Sequence, residues 1–346
     1  MLVTRCRVFA LAIFTLGTAA SSARAEEEPS PPRAATYQIE HSLTVSEFPP
    51  DAGKVRIWFW LPDDDGCQKL LDLAVAEAPA GYQITRDAAS GHLYLYAEVD
   101  KPTAPIRLQT DFTVRRVSEH VALVPEEAGE LTDVHRTQFA EYLRRDCPNM
   151  EVDESIETLA QEVCGDETNV VRQARALFDY VIDHSEHYSK GATAPKSSGL
   201  GSCLYCLSAG GGGCTDQHAL FIALARARGI PTRLRFGSRL KPADEGKPGD
   251  PGYRCWVQYF VPRYGWVSMD IAAADTNPDQ RDFFFSGLDE RRVWFSDGRD
   301  LDLTPRQDGP RVNLFIVAYV EVDGQPFAGF KRTLQFTETH EPAAGQ

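Results

Sequence analysis

Residues 212–218 read Gly212-Gly213-Cys214-Thr215-Asp216-Gln217-His218 and open an apolar run through Ala219, Leu220, Ala223 and Leu224 that stops at Gly229-Ile230-Pro231. A glycine pair, a helical period and a Gly/Pro stop predict a helix whose first turn carries the Cys214 thiol. That position favours a thiolate. The positive end of the helix dipole and the unpaired first-turn N–H groups lower a thiol pKa and can hold a developing oxyanion. Ahead of it, the glycine- and serine-rich stretch 196–213 reads as a loop that lets backbone approach Cys214 closely.

Working outward, Ile156, Leu159, Ala160 and Val163 mark one helix face, and Val170, Val171, Ala174, Leu177, Phe178, Val181 and Ile182 mark a longer one. Short strands follow at 232–236, 255–261, 265–271 and 314–322. Towards the N-terminus the period changes to two. Tyr37, Ile39, His41, Leu43 and Val45 alternate with polar residues, as do Val55, Ile57, Phe59 and Leu61, then Leu93, Leu95 and Ala97, then Ile106, Leu108, Thr110, Phe112 and Val114. Turn residues at Pro49-Pro50, Asp63-Asp64-Asp65-Gly66 and Ser90-Gly91 separate these runs, which predicts a small antiparallel β-sandwich over 37–117. His41 falls on its inward register and reads as a packed core histidine. The expected class is α+β, with a connecting segment at 118–150, a second domain at 151–335 and a flexible tail at 336–346.

Arg5 and Arg7, the apolar stretch from Val8 to Ala20 and the small-x-small step Ala23-Arg24-Ala25 have the layout of a cleaved export signal at 1–25. The run is shorter than the roughly 20 residues of a membrane span. Residues 26–36, rich in Glu and Pro, read as a disordered leader. The chain's net charge of −14 moves to about −17 once three signal arginines leave. So acidic a chain argues against nucleic acid or an anionic membrane surface as a partner. The expected protein is exported, periplasmic or extracellular, with no membrane attachment after cleavage. Of eight cysteines, Cys6 leaves with the signal; the odd seven predict up to three disulfides and a free Cys214.

Downstream of the cysteine helix, Arg254-Cys255-Trp256-Val257-Gln258 is followed by a Tyr264-Gly265-Trp266 turn leading to Asp270. With Gly213-Cys214-Thr215-Asp216 and Arg226-Ala227-Arg228-Gly229-Ile230-Pro231-Thr232-Arg233, this stretch resembles the transglutaminase-like superfamily over roughly 160–320. The resemblance implies a transglutaminase/papain-like cysteine-protease core, a Cys nucleophile at Cys214, an orienting carboxylate at Asp270, and an acid/base His one residue before an x-Trp step. Arg254 stands there, and Gln258 stands where a Glu often follows. A guanidinium stays charged and cannot shuttle a proton. The expected consequence is impaired acyl transfer or peptide/amide hydrolysis; the other reading is a catalytically silent envelope protein that keeps the fold for binding or scaffolding. Strand alternation predicts Arg254 and Trp256 facing Cys214, with an Arg254–Asp270 ion pair. Gly213, Trp256, Gln258 and His218, one helical turn after Cys214, are the supporting residues, and Trp266 with Phe283–Phe285 could line a cleft. No cofactor is implied. Zinc on Cys203, Cys206, Cys214 and Cys255 is a rival reading of the same cysteines.

Overall fold

A computed structural model of the chain describes residues 32–87, 90–250 and 252–339; the export signal and most of the leader expected at 1–36 lie outside them. Period-two alternation builds the first layer pair. Tyr37, Ile39, His41, Leu43 and Val45 bury one face of the strand Ala34–Val45, and Val114, Phe112, Thr110, Leu108 and Ile106 answer them across the register on Ile106–Val117. Lys54–Trp60 pairs with Leu93–Asp100 in the opposing sheet. The expected sandwich at 37–117 is incomplete by itself. Phe330–Thr339 pairs with Ala34–Val45 from Thr36 to Val45, and Ala318–Val322 pairs with Lys54–Trp60. The sheets run 330–339, 34–45, 106–117, 68–77 and 325–326, 318–322, 54–60, 93–100, 83–86. The strands Gln68–Glu77 and Gln83–Arg86 were not expected, and the tail expected at 336–346 is strand up to Thr339. Two boundaries therefore move: 318–339 belongs to the sandwich rather than to a 151–335 domain, and Val293 and Phe295 join the sandwich core. His41 is fully buried there, stacked on Phe59 at 4.7 Å, and burial first, then Arg332, holds its imidazole down to about 3.

The second layer pair holds the cysteine. Its sheet runs Gly265–Met269, Arg254–Val261, Thr232–Arg239, Arg292–Asp297, all antiparallel. Against one face pack the helices Glu154–Cys164 and Val170–His184, capped by the Asp153 and Asn169 side chains, with Cys214–Ala227 between them and the sheet. The loop expected at 196–213 contains a helix, Cys203–Ala209. Ser202 caps it and Gly210, at φ 69°, ends it in the left-handed conformation that glycine adopts freely. The expected disulfides are absent: Cys67, Cys147, Cys164, Cys203, Cys206, Cys214 and Cys255 are all free thiols. Among the described residues no helix is long and apolar enough to cross a membrane.

Trp60 sits at the centre of the sandwich, 4.0 Å from the Phe295 ring and 6.0 Å from Phe112. Trp60→Ala should cost about 3–5 kcal/mol, read as a lower urea midpoint; an unchanged midpoint would remove Trp60 from the core that joins the two layer pairs.

Candidate active site

Cys214 is the first residue of the helix Cys214–Ala227, with Gly213 at the cap. Asp216, fully buried in that first turn, accepts from the N–H of Gly213 at 2.8 Å, of Ser198 at 3.1 Å and of Ser202 at 2.8 Å, and so ties the loop 197–202 to the cysteine. Gly211 and Gly212 form a two-residue parallel pairing with Glu186–His187. A Cβ on Gly211 would lie 2.2 Å from the Glu186 carbonyl oxygen, and one on Gly212, at φ 154°, 2.6 Å from the Asp216 carboxylate. Only glycine permits both approaches. Their result is that His187 arrives beside Cys214.

The His187 side chain lies near enough to the Cys214 sulfur to lower its thiol pKa. The backbone N–H of His187 donates to Asp275 at 2.8 Å, and its Nδ1 accepts from the Ser189 N–H at 3.3 Å. Nδ1 also lies 2.7 Å from Ser189 Oγ, so Ser189 holds this edge of the ring. On the other side the Cys255 thiol meets the same sulfur. Donation from Cys255, then from His187, with the nearby His218, holds the Cys214 thiol well below the ordinary range, although burial works the other way. Cys255 moves oppositely, pushed up by burial and by the Cys214 sulfur. The two thiols thus shift in opposite directions, each against the other. By contrast, burial pushes Cys67, Cys203 and Cys206 up to about 12, which leaves them inert thiols.

Behind Cys255 lies a buried polar row. His218 Nδ1 is 3.2 Å from Cys255 Sγ, and its Nε2 accepts from the Ile271 N–H at 3.1 Å and lies 3.4 Å from Asp270 Oδ1. Asp270 caps the helix Ile271–Thr276 through Ala273 N–H at 2.8 Å and pairs with the Arg292 guanidinium at 2.5 Å. Burial pushes the Asp270 carboxyl up, and Arg292 with His218 more than reverses it, so the group stays ionised well below the usual carboxylate range. Thr215 Oγ1 lies 3.5 Å from Cys255 Sγ and 2.8 Å from the Tyr253 hydroxyl.

The expected site residues separate. Cys214, Gly213, His218 and Asp270 lie in one cluster. Arg254 does not reach it: its guanidinium donates to the Tyr253 carbonyl at 2.9 Å, and Asp270 is paired with Arg292 in place of the expected Arg254. Strand alternation runs with Cys255, Val257 and Tyr259 towards the helices and Arg254, Trp256 and Gln258 away from them. Trp256 packs with Leu288 and Trp294, and Gln258 accepts from Arg233 at 2.8 Å and donates to Ser268 at 2.9 Å. Trp266 lies against Phe139, Tyr142 and Phe260, and Phe284 and Phe285 are core, so neither builds the anticipated cleft. Among the described residues no three His, Cys, Asp or Glu side chains are grouped to hold a metal, which removes the four-cysteine zinc set. His187, Cys255 and Arg292 are the participants that sequence reasoning missed.

Residues 157–271 match the model of the transglutaminase-like superfamily. The chain carries a transglutaminase-like core. That match spans the cysteine helix, the strand Arg254–Val261 and the carboxylate Asp270. An uncharacterized protein of Haemophilus influenzae (strain Rd) is 24% identical over 316 residues, 80% of this chain and 83% of the relative. The Bacillus subtilis protein YebA is 26% identical over 136 residues, 37% of this chain and 18% of its own. Among solved structures, a candidate cysteine protease from Cytophaga hutchinsonii superposes with a TM-score of 0.60 at 15% identity, over 90% of this chain and 92% of that one. That likeness is one of fold and includes the sandwich together with the transglutaminase-like core.

Because donation from Cys255 leads the depression of the Cys214 pKa, Cys255→Ala should move the midpoint of Cys214 alkylation to higher pH. In the unaltered chain alkylation by iodoacetamide, followed peptide by peptide in a mass spectrometer, should persist well below the ordinary thiol pKa of about 8.5 and fade only as acid protonates the sulfur. Identical pH profiles for the two proteins would contradict donation from Cys255.

Proposed function

We propose that this chain is an exported cysteine-dependent acyl-transfer enzyme that cleaves or exchanges amide bonds of peptide or protein substrates, with Cys214 as nucleophile and His187 as the proton shuttle. The observation that carries the reading is Cys214 at the first turn of its helix with the His187 segment brought beside it by the Gly211–Gly212 pairing, surroundings that lower the thiol pKa. The expectation of an impaired site rested on Arg254 standing where an imidazole was anticipated, and His187 supplies an imidazole from a different segment. Tyr188, next in sequence to His187, and Leu200, in the loop that Asp216 ties down, are 50% and 55% exposed and are candidates for apolar contact with a substrate chain.

The chemistry follows from the protonation states. The Cys214 thiolate attacks the carbonyl carbon, and the first-turn N–H groups of its helix face the developing oxyanion. As the imidazolium paired with the thiolate, its Nδ1–H towards Ser189 Oγ at 2.7 Å, His187 passes its Nε2 proton to the departing amine as the C–N bond breaks, becoming a neutral imidazole and leaving a thioester on Cys214. Water or a second amine then attacks the thioester, giving its proton to His187 and restoring the thiolate. His218, Asp270 and Arg292 act one step back by fixing the Cys255 thiol against the nucleophile.

Turnover of a peptide-amide substrate, with ester hydrolysis as the easier readout, should vanish in Cys214→Ala. It should fall about 10²–10⁴-fold in His187→Ala, while Arg254→Ala stays within about tenfold of the unaltered chain on the same scale of kinetic effects. If Arg254→Ala silenced the protein and His187→Ala left it untouched, the assignment would be wrong; no turnover in any preparation would favour the binding or scaffolding role. For export, N-terminal sequencing of the processed protein should start at Glu26, and a chain retained at Met1 in the cytoplasm would contradict it.

A further inference from the structure

A second sulfur against a nucleophile is unusual chemistry to bury. Cys255 is 1% exposed, yet its Sγ meets polar groups, Thr215 Oγ1 and His218 Nδ1, rather than packing among apolar groups alone. Thr215 Oγ1 spans the two sulfurs, 3.9 Å from Cys214 Sγ and 3.5 Å from Cys255 Sγ, and His218 Nδ1 approaches Cys255 Sγ at 3.2 Å. Both thiols are free and belong to different elements, a helix start and a strand start. The structure assigns to Cys255 the role of resolving thiol for Cys214, so that a hydroperoxide converts the pair into an intramolecular Cys214–Cys255 disulfide. This inference rests on the reading of Cys214 as the reactive thiolate.

The two steps balance with the hydroperoxide as the sole oxidant. In the first, a lone pair of the Cys214 thiolate attacks the distal peroxide oxygen, the O–O bond breaks, and the alkoxide or hydroxide leaves with a proton from solvent, giving a Cys214 sulfenic acid. In the second, Cys255 sulfur attacks Cys214 Sγ, the S–O bond breaks, and the departing hydroxide takes the Cys255 proton and leaves as water. The surroundings favour that order. Cys214 is 9% exposed and Cys255 only 1%, so the oxidant meets Cys214 first. Once Cys214 is a neutral sulfenic acid, the anion that opposes ionisation of Cys255 is gone. The Nδ1–H of His218, fixed in that tautomer by the Ile271 N–H on Nε2, then faces the emerging Cys255 thiolate. A dithiol reductant reverses the bond by exchange, so the pair spares the nucleophile from the irreversible sulfinic state.

The test is peptide mapping of the full-length protein under nonreducing conditions after treatment with one equivalent of hydrogen peroxide. The expected product is a Cys214–Cys255 cross-linked peptide, lighter by two hydrogen atoms, with alkylation lost at both positions and restored by dithiothreitol. In Cys255→Ser two equivalents of peroxide, one for each oxygen, should leave Cys214 with two added oxygen atoms, resistant to dithiothreitol. Three results would overturn the assignment: Cys214 reaching the sulfinic state in the unaltered chain, a disulfide from Cys214 to any other cysteine, or no change in Cys214 alkylation. Mapping of the unaltered chain decides the matter even where Cys255→Ser fails to fold. The readout is peptide mass rather than turnover, so a chain without hydrolytic activity can still form the bond, and an active one can fail to.

Discussion

Burial of the cysteine helix on every side is the constraint from which the site follows. From Cys214 to Arg226 each residue is shielded, by the helices Glu154–Cys164, Val170–His184 and Cys203–Ala209 and by the strands Thr232–Arg239 and Arg254–Val261. A helix so enclosed cannot leave polar side chains unpaired without a large desolvation cost. Asp216, Gln217 and His218 therefore each bind a different wall. Asp216 gathers the backbone of 198–202, Gln217 donates to Ser185 and Asp275 beside the His187 segment, and His218 meets Cys255 and Ile271. Three consecutive buried polar residues thus fix three approaches to the one sulfur that starts the helix.

Much of this was legible in advance where a period was strong. The alternations at 37–45, 55–61, 93–97 and 106–114 correspond to strands, and the helical runs at 156–163, 170–182 and after Cys214 to helices. The strand Gln68–Glu77 escaped because bulges at Leu70/Asp72 and Val75/Glu77 break its period and leave two apolar residues adjacent. The orientation of the strand Arg254–Val261 was readable and was misread. Cys255, Val257, Tyr259 and Val261 form its apolar face and so turn to the core, leaving Arg254 and Gln258 on the other side. Weighting family position over hydrophobic alternation sent Arg254 to the wrong face. His187 had no such signal, since it belongs to a two-residue pairing that exists only once two glycines bring separate segments together.

Counting cysteines was a weak guide for a physical reason. Parity suggests cross-links only if thiols need partners, whereas a buried thiol is satisfied as a small apolar group. Cys164, Cys203 and Cys206 pack in the helical core in that way, and burial keeps them protonated. What distinguishes Cys214 is its surroundings: a helix start, an imidazole on one flank and a proton-sharing sulfur on the other.

The pairing of Phe330–Thr339 with Ala34–Val45 joins segments almost three hundred residues apart, from Thr36 opposite Thr339 to Val45 opposite Phe330. During synthesis the earlier strand leaves the ribosome with one edge open, and its mate follows only after almost three hundred further residues. The sheet cannot seal until the intervening chain has been made, so its closure is a long-range event with a high loop-closure cost. Until then the exposed edge is a surface on which a nascent chain could be held unfolded.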